Sequence, residues 1–321
     1  MNILVTGGAG FIGSNLTENL LADNAITKVV VLDNLATGAL QNIKPFFNNP
    51  KFQFIQGDIR NVADCNNACQ GIDFVSHQAA LGSVPRSIND PKTTNDVNIT
   101  GTLNIFKAAL DAGVKRVVFA ASSSTYGDHP GLPKQEDIIG KPLSPYAVSK
   151  YVMELYADVF NKTYGLQYIG MRYFNVFGPR QNPNGAYAAV LPLFIQKILN
   201  NQRPTINGNG EIGRDFTYVQ NIIDANKLSM FTNNPNAINT IYNIAYGGYT
   251  NLNQLFINIK TAIGSNIMPI YGPERKGDVL QSLASIEKAK KLLKYNPQIN
   301  ANDGLIKTVA WFKENPNYFY N

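Results

Sequence analysis

The sequence predicts an α/β protein, a doubly wound parallel sheet followed by a smaller α/β unit. Three observations carry this. Short, continuous apolar runs alternate with helical patterns over residues 2–175, and strands buried on both faces read as such runs rather than as an alternation. A glycine-rich turn joins the first run to the first helical pattern. After Asn175 the rhythm changes to stretches rich in Gly, Pro and Asn, such as GPRQNPNGAY and INGNGEIGRD, which read as longer loops. We therefore expect one domain over residues 1–175, with some later segments returning to it, and a second, mainly from residues 176–321.

The elements follow in order. NILVT opens the sheet, and a helix begins at about Phe11. KVVVLD is the second strand, FQFIQGD the third and IDFVSH the fourth. A helix covers about 99–111, KRVVFAAS is the fifth strand, a helix begins at about Pro145, and LQYIGMRYFN is the sixth strand. Strands that alternate with helices in this way form parallel βαβ units.

Composition narrows the function classes. Hydrophobic residues make up 44% of the 321 and charged residues 16%, enough to bury a sizeable core. Net charge is +6, but the basic residues are dispersed. The short cluster KAKKLLK reads as a solvated helix face, so a nucleic-acid module finds no support. A mild positive balance suits a small phosphorylated ligand. No apolar run approaches the ~20 residues of a membrane span, and MNILVTGG lacks the charged start of a signal peptide. The expectation is a soluble, cytoplasmic protein. Cys65 and Cys69 stand four apart without a histidine cluster, which reads as two reduced thiols on one helix rather than a metal site. His77 follows the fourth strand and reads as structural; His129 falls in a loop.

The turn TGGAGFIGS carries Gly7, Gly10 and Gly13 between the first strand and the first helix. Gly7 allows the tight turn, Gly10 lets a pyrophosphate approach the backbone, and Gly13 lets the helix pack on the sheet. Phe11 and Ile12 then open a helix whose free N–H groups face the phosphates. Asp33 ends the second strand twenty residues after Gly13, with Asn34 behind it. A carboxylate there accepts from an adenosine ribose and repels a 2′-phosphate, so NAD is favoured over NADP. In QGDIR, Asp58 and Ile59 are placed to meet the adenine, although an acid at Asp58 can equally cap a turn.

SPYAVSK supplies Tyr146 and Lys150, four apart on one helix face. A tyrosine titrates near ~10, too high for a base at neutral pH. A neighbouring ammonium, together with a positive nicotinamide ring, favours the phenolate. The fifth strand ends in Ser122, Ser123 and Ser124, hydroxyls without an acid.

Taken together, the glycine turn, Asp33, DIR, HQAA, the serine strand end, Tyr146 and Lys150, RYFNVFGPRQ and GRDFTYV resemble the extended short-chain dehydrogenase/reductases that act on nucleotide sugars. The resemblance covers essentially the full length. It implies a Rossmann domain that holds NAD, with Gln78 and Ala79 among its contacts, a C-terminal nucleotide-sugar domain, and a homodimer formed by two helices per subunit. In related dehydratases and decarboxylases, acids stand at the positions of Ser123 and Ser124. Hydroxyls there imply a 4-epimerase, with Tyr146 as base, Ser122 holding the sugar 4-oxygen, Lys150 beside them, and hydride lent to NAD and returned to the other face. The same resemblance implies substrate contacts by Asn175, by Arg214 with Arg275 and Asp278 at the diphosphate, and by Ser83, Ser123, Ser124 and Ser282 around a 2-acetamido group. Ser282 stands where a bulky residue in some members leaves no room for that group. UDP-GlcNAc and UDP-GalNAc are therefore the expected pair. UDP-glucose or a UDP-uronic acid is the alternative, and an NAD-binding regulator without catalysis is the rival from another class.

Overall fold

Six strands in succession build most of the main sheet. In the computed structural model, which describes residues 1–183, 189–273 and 282–319, these are β1 (Asn2–Thr6), β2 (Lys28–Asp33), β3 (Phe52–Gln56), β4 (Phe74–His77), β5 (Arg116–Ser122) and β6 (Tyr168–Tyr173). Between them run α1 (Phe11–Leu21), α2 (Val62–Cys69), α3 (Val84–Asn89), α4 (Pro91–Asn95), α5 (Gly101–Asp111) and α6 (Pro145–Tyr164). The later chain adds β7 (Val176–Phe177), α7 (Val190–Leu199), β8 (Thr205–Asn207), β9 (Gly213–Arg214), β10 (Thr217–Tyr218), α8 (Val219–Phe231), β11 (Thr240–Ile244), β12 (Thr250–Asn251), α9 (Leu252–Ile263), β13 (Ile270–Gly272), α10 (Glu287–Leu293) and α11 (Ala301–Glu314).

The seven-stranded sheet has the order β11-β6-β5-β4-β1-β2-β3, and every pairing in it is parallel. The doubly wound fold expected from the alternation is therefore present. Strand β11, from the later chain, lies at the sheet edge beside β6. The small strands pair outside this sheet, β10 with β7, β12 with β9 and β13 with β8.

Alternation along the strands sends side chains to opposite faces. Leu4, Val30, Val75, Val117 and Phe119 bury against Phe106 of α5 and Met153 and Phe160 of α6. Ile3, Val5, Val29, Val31, Ile169 and Met171 bury on the other face with Leu16 and Leu20 of α1 and Ile222 of α8. That second cluster runs on without a break to Phe194, Phe256 and Phe312 of the later chain. The two cysteines lie on α2 as expected, both free and buried.

One stretch differs from the expectation. Before α5 the chain makes two short helices and a π-turn, Asp96–Thr100, instead of leading straight into one helix. The reason is local. Pro85 and Pro91 each sit in a first helical turn, where no N–H is needed, and Ser83 and Asp90 cap the starts by accepting from Arg86 N and Thr93 N.

Helix α6 starts where Ser144 caps Ala147 N and Pro145 follows, and it ends at Gly165 with φ +76°. It is pinned to β6 by a buried fork. Arg172 Nε and Nη2 donate to the two carboxylate oxygens of Glu154 at 2.9 and 2.7 Å, with both side chains about 5% exposed or less. Arg172 also donates to Glu136 O and lies 4.8 Å above the Tyr126 ring. Glu154→Gln should leave the guanidinium without its counter-charge and cost about 3–5 kcal/mol. Urea unfolding followed by circular dichroism measures this, and an unchanged midpoint would contradict the role given to the pair.

Candidate active site

The carboxyl ends of the strands face a cavity of about 560 Å³. It opens where the strand order turns back between β1 and β4, the position at which doubly wound sheets bind ligands.

The glycine turn forms one wall. Gly7 has φ +68°, and a Cβ on it would come within 2.7 Å of the Ala79 backbone. A Cβ on Gly13 would collide with the Gly7 carbonyl. Both glycines are thus required by the protein itself. Gly10 is different. A Cβ there would meet only Gly7 O, at 3.1 Å, and Gly10 lines the cavity. What its missing side chain leaves room for is a ligand. Gly10 caps α1 without a side-chain bond, and no acid stands in the first turn. The N–H groups at Phe11, Ile12 and Gly13 therefore present a positive helix end to the cavity.

Asp33 is buried at the end of β2 and accepts from Ala9 N at 2.9 Å and Leu35 N at 2.8 Å. Burial pushes its carboxyl upward, against the pull of those two N–H groups. Each oxygen keeps a lone pair for a ribose hydroxyl. Asn34 donates to Asp58, which accepts a close ion pair from Arg60 at 2.6 Å. The Arg60 bonds hold the Asp58 carboxyl down at about 2. Asp58 also accepts from Arg60 N at 2.8 Å. Asp58 thus lines the cavity and caps its turn. Ile59 lines the wall and packs on Gly101.

Gln78 and Ala79 line the cavity after β4. The Gln78 amide is held from below, donating to Ser76 Oγ and Asn226 Oδ1 and accepting from Tyr173 Oη. His77 lies outside the wall and is fully buried. Its Nε2 meets Thr102 Oγ1 at 3.0 Å and its Nδ1 meets Thr6 Oγ1 at 2.7 Å. Thr102 gives its own proton to Asn98 O, so it accepts from Nε2, and the ring is neutral with Nδ1 taking the Thr6 proton. Burial, reinforced by the charge of Lys150, pushes its pKa down to about 3. The structural reading of His77 agrees with this setting.

Ser122, Ser123, Tyr146, Lys150 and Asn175 share the other end of the cavity. Lys150 is buried and donates to Ala120 O at 2.8 Å; its Nζ lies 6.0 Å from the centre of the Tyr146 ring. Burial brings the ammonium down to about 8. The Tyr146 phenol departs from expectation. In the chain by itself burial raises it, and the Ser122 hydroxyl offsets this only in part. The ammonium donates to a carbonyl, and burial outweighs the Ser122 hydroxyl, so the protein alone does not bring the phenol toward neutrality.

The remaining predicted residues divide. Asn175, at φ +34°, donates to Ser282 Oγ at 3.1 Å and to Asp215 O at 3.0 Å. Arg214 bridges to Ser282 along the backbone. These three residues, more than a hundred apart at the extremes, come together beside the cavity. Ser83 caps α3 at φ +110° and Ser124 donates to Ser122, both outside the cavity wall. Arg275 and Asp278 lie outside the described residues. Sequence reasoning passed over Arg60, Thr37, Leu81, Thr93 and Tyr173, which also form the wall. DIR announces Arg60, but nothing local marks Tyr173, whose place depends on Asn226 of α8.

Fold and cavity are those of a dinucleotide-binding protein. The chain belongs to the NAD dependent epimerase/dehydratase family, whose model matches residues 3–245. A putative UDP-glucose 4-epimerase of Methanocaldococcus jannaschii is 40% identical over 315 residues, covering 98% of this chain and 99% of the relative. Among solved structures, the UDP-N-acetylglucosamine 4-epimerase of Methanobrevibacter ruminantium, in complex with UDP-N-acetylmuramic acid, is 40% identical with TM-score 0.91, covering 98% of each chain. The UDP-glucose 4-epimerase of Thermus thermophilus, in complex with NAD, is 34% identical with TM-score 0.87, covering 98% of this chain and 99% of that one. The cofactor is NAD, and the open face of Gly10, the bare α1 N-terminus and the spare lone pairs of Asp33 fit it.

Gly10→Ala should therefore leave the melting temperature of the NAD-free protein almost unchanged yet abolish retention of NAD through gel filtration, read by absorbance. Retained NAD would contradict the place given to the pyrophosphate.

Proposed function

We propose that this protein interconverts the C4 epimers of a UDP-sugar, and that the pair is UDP-GlcNAc and UDP-GalNAc. One observation carries the reaction type. Among the residues that wall the cavity the acids are Asp33 and Asp58, both at the adenosine end. Around Tyr146 stand hydroxyls and an amide instead. Elimination at C6 or decarboxylation needs a proton donor and a base beyond the one that oxidises C4, and serine serves poorly as either. Among the described residues, a site so furnished has what oxidation of C4 and its re-reduction need.

When bound, NAD would supply a two-electron acceptor and donor for the C4 hydrogen and the positive charge of its oxidised ring. Tyr146 Oη takes the proton of the sugar 4-hydroxyl and later gives it back. Ser122 holds the 4-oxygen during the exchange. Lys150 keeps a positive charge under the phenol at neutral pH. Arg214 and Asn175 anchor the nucleotide diphosphate end while the ring of the 4-keto sugar turns over. Residues 1–175 with β11 carry the cofactor, and the later chain carries most of the nucleotide-sugar contacts.

The choice of an N-acetylated sugar rests on Ser282. It is a small side chain, hydrogen-bonded to Asn175, and a 2-acetamido group needs the volume that a bulky residue would fill. Proton NMR of the purified protein with UDP-GlcNAc and no added NAD should show the UDP-GalNAc anomeric signal growing. Tyr146→Phe should slow this by at least about 100-fold, the usual scale for losing an acid–base group. Conversion of UDP-glucose or a UDP-uronic acid, with none of UDP-GlcNAc, would leave the reaction type standing and overturn the sugar.

The homodimer is part of the same reading. Helix α6 exposes Val148, Leu155 and Val159 at 46%, 49% and 51%, a spacing that sets them on one face. An apolar stripe of this kind calls for a covering partner, and a second copy of α6 supplies one. Leu155→Glu should convert the protein from dimer to monomer in analytical ultracentrifugation, and a monomeric unmodified protein would overturn the proposal.

A further inference from the structure

Asn175, Arg214 and Ser282 meet around Asp215, a residue with no part in the sugar contacts above. Its main chain is bonded on both sides. Asp215 N donates to Ser282 O at 2.8 Å, and Asp215 O accepts from the Asn175 amide at 3.0 Å. Asn175 also donates to Ser282 Oγ at 3.1 Å. The Asp215 side chain is fully buried, and its carboxylate reaches two further segments. Gly247 N donates to Oδ2 at 3.1 Å and to Oδ1 at 3.3 Å, and Ala284 N donates to Oδ2 at 3.4 Å. These donors are backbone N–H groups, so the direction of each bond is fixed.

Strand pairing at this point is thin. β9 pairs with β12 over two residues, and on its other side Arg214 meets Ser282 in a single bridge. A buried carboxylate is costly unless it is hydrogen-bonded, and a neutral side chain would fill the same space at a smaller cost. What the charge adds is a stronger pull on N–H groups. Here those groups belong to the Gly247 turn and to the second residue after Ser282.

We propose that Asp215 is a positioning residue whose ionised carboxylate clamps the Gly247 turn and the 282–284 segment onto β9, and so holds Asn175, Arg214 and Ser282 where they meet a UDP-sugar. This rests on the reading of those three residues as nucleotide-sugar contacts. The clamp depends on charge. Burial pushes the Asp215 carboxyl up to about 6, against the pull of its backbone donors. Protonation leaves a weaker acceptor and sets a proton among N–H groups, so the clamp loosens as pH falls through that value. Among the described residues, the other charged or titratable side chains on the elements packed here are Arg214, Tyr246 and Tyr295. Tyr295 donates to Ala245 O at 2.9 Å, and burial with the Asp215 charge raises its phenol well above the usual range. Asp224 of α8 and Tyr173 of β6 act on Tyr295 in turn. The ligand itself is silent, because both phosphates of a UDP-sugar are esterified and lack the second ionisation, near ~6, of a terminal phosphate.

The test uses the NAD-bound protein carrying Tyr146→Phe, so that nothing turns over, and measures the affinity for UDP-GlcNAc and UDP-glucose by calorimetry across pH. Kd should rise about tenfold from pH 7 to pH 5, since roughly one carboxyl in ten stays ionised a unit below its pKa and only that fraction is competent to bind. Asp215→Asn, of the same shape, should bind about tenfold more weakly at pH 7 and change little down to pH 5. Hydrogen exchange without sugar, read by mass spectrometry at pH 7 on peptides spanning 245–249 and 283–286, should be faster in Asp215→Asn. An affinity that does not respond to pH, or that falls equally in Asp215→Asn, overturns the proposal, as does unchanged exchange in that variant. If Asp215→Asn does not fold, the same peptides in the protein with Asp215 decide it. Corrected for the intrinsic effect of pH, their exchange must quicken between pH 7 and pH 5 while that of β4 does not. A protein that binds neither sugar at any pH, with exchange responding as expected, would sink the nucleotide-sugar reading and leave the clamp itself standing.

Discussion

The contact between Lys150 and the Ala120 carbonyl sets the geometry on which the candidate site depends. It joins the first turns of α6 to the last residues of β5, 2.8 Å across a buried interface. A buried ammonium without a hydrogen bond would be costly, so the helix cannot slide along the strand without losing this bond. The consequence for the site is direct. Tyr146 lies one turn before Lys150 on α6, and Ser122 lies two residues after Ala120 on β5. One bond therefore fixes both in register. Further along α6 the Glu154–Arg172 fork ties the same helix to β6. The phenol is carried on an element fastened to two adjacent strands.

Beneath this contact lies His77, and its neutrality follows from the same crowding. It is enclosed by Thr6 and Thr102 and lies close enough to Lys150 for the two charges to repel. Two cations cannot both be held in a buried floor at reasonable cost. The histidine yields, down to about 3, while Lys150 at about 8 stays charged at neutral pH. Lys150 is thus the cation this buried region keeps, 6.0 Å from the centre of the Tyr146 ring.

Much of this was legible in the sequence, for physical reasons. The main strands were readable because both their faces are buried, which makes them continuous apolar runs. Gly7, Gly10 and Gly13 were readable because a phosphate turn admits few alternatives, and Tyr146 with Lys150 because helical spacing puts them on one face. What stayed hidden depends on contacts between distant parts of the chain. The break before α5 follows from Pro85 and Pro91, which read as ordinary loop residues until the caps at Ser83 and Asp90 are seen. Tyr173 enters the wall only because Asn226 of α8 holds its hydroxyl. The rise in the Tyr146 phenol could not be read either, because spacing shows that a lysine is near but not that its ammonium points at a carbonyl. The place of Ser124, bonded to Ser122 instead of facing the cavity, likewise depends on one tight turn.

The cavity is chemically divided along its length, and the division explains why the two ends place different demands on the chain. At the end walled by the glycine turn the features are geometric and anionic, a bare helix start, glycines without side chains and the Asp33 and Asp58 carboxylates. Asp58 is kept ionised by Arg60, while Asp33 is held by two backbone N–H groups against burial. At the other end no acid stands among the described residues of the wall, and hydroxyls from Ser122 and Ser123 stand with Tyr146 and the Asn175 amide. A carboxylate placed there would compete with Tyr146 for the proton and bring its own desolvation cost into a buried floor that already holds Lys150. Hydroxyls avoid that conflict. They can donate or accept as the substrate oxygen changes from alcohol to ketone and back, so they bind both states of a reversible oxidation about equally well. A site that must run in both directions without a net product at C6 gains more from such neutrality than from a stronger acid.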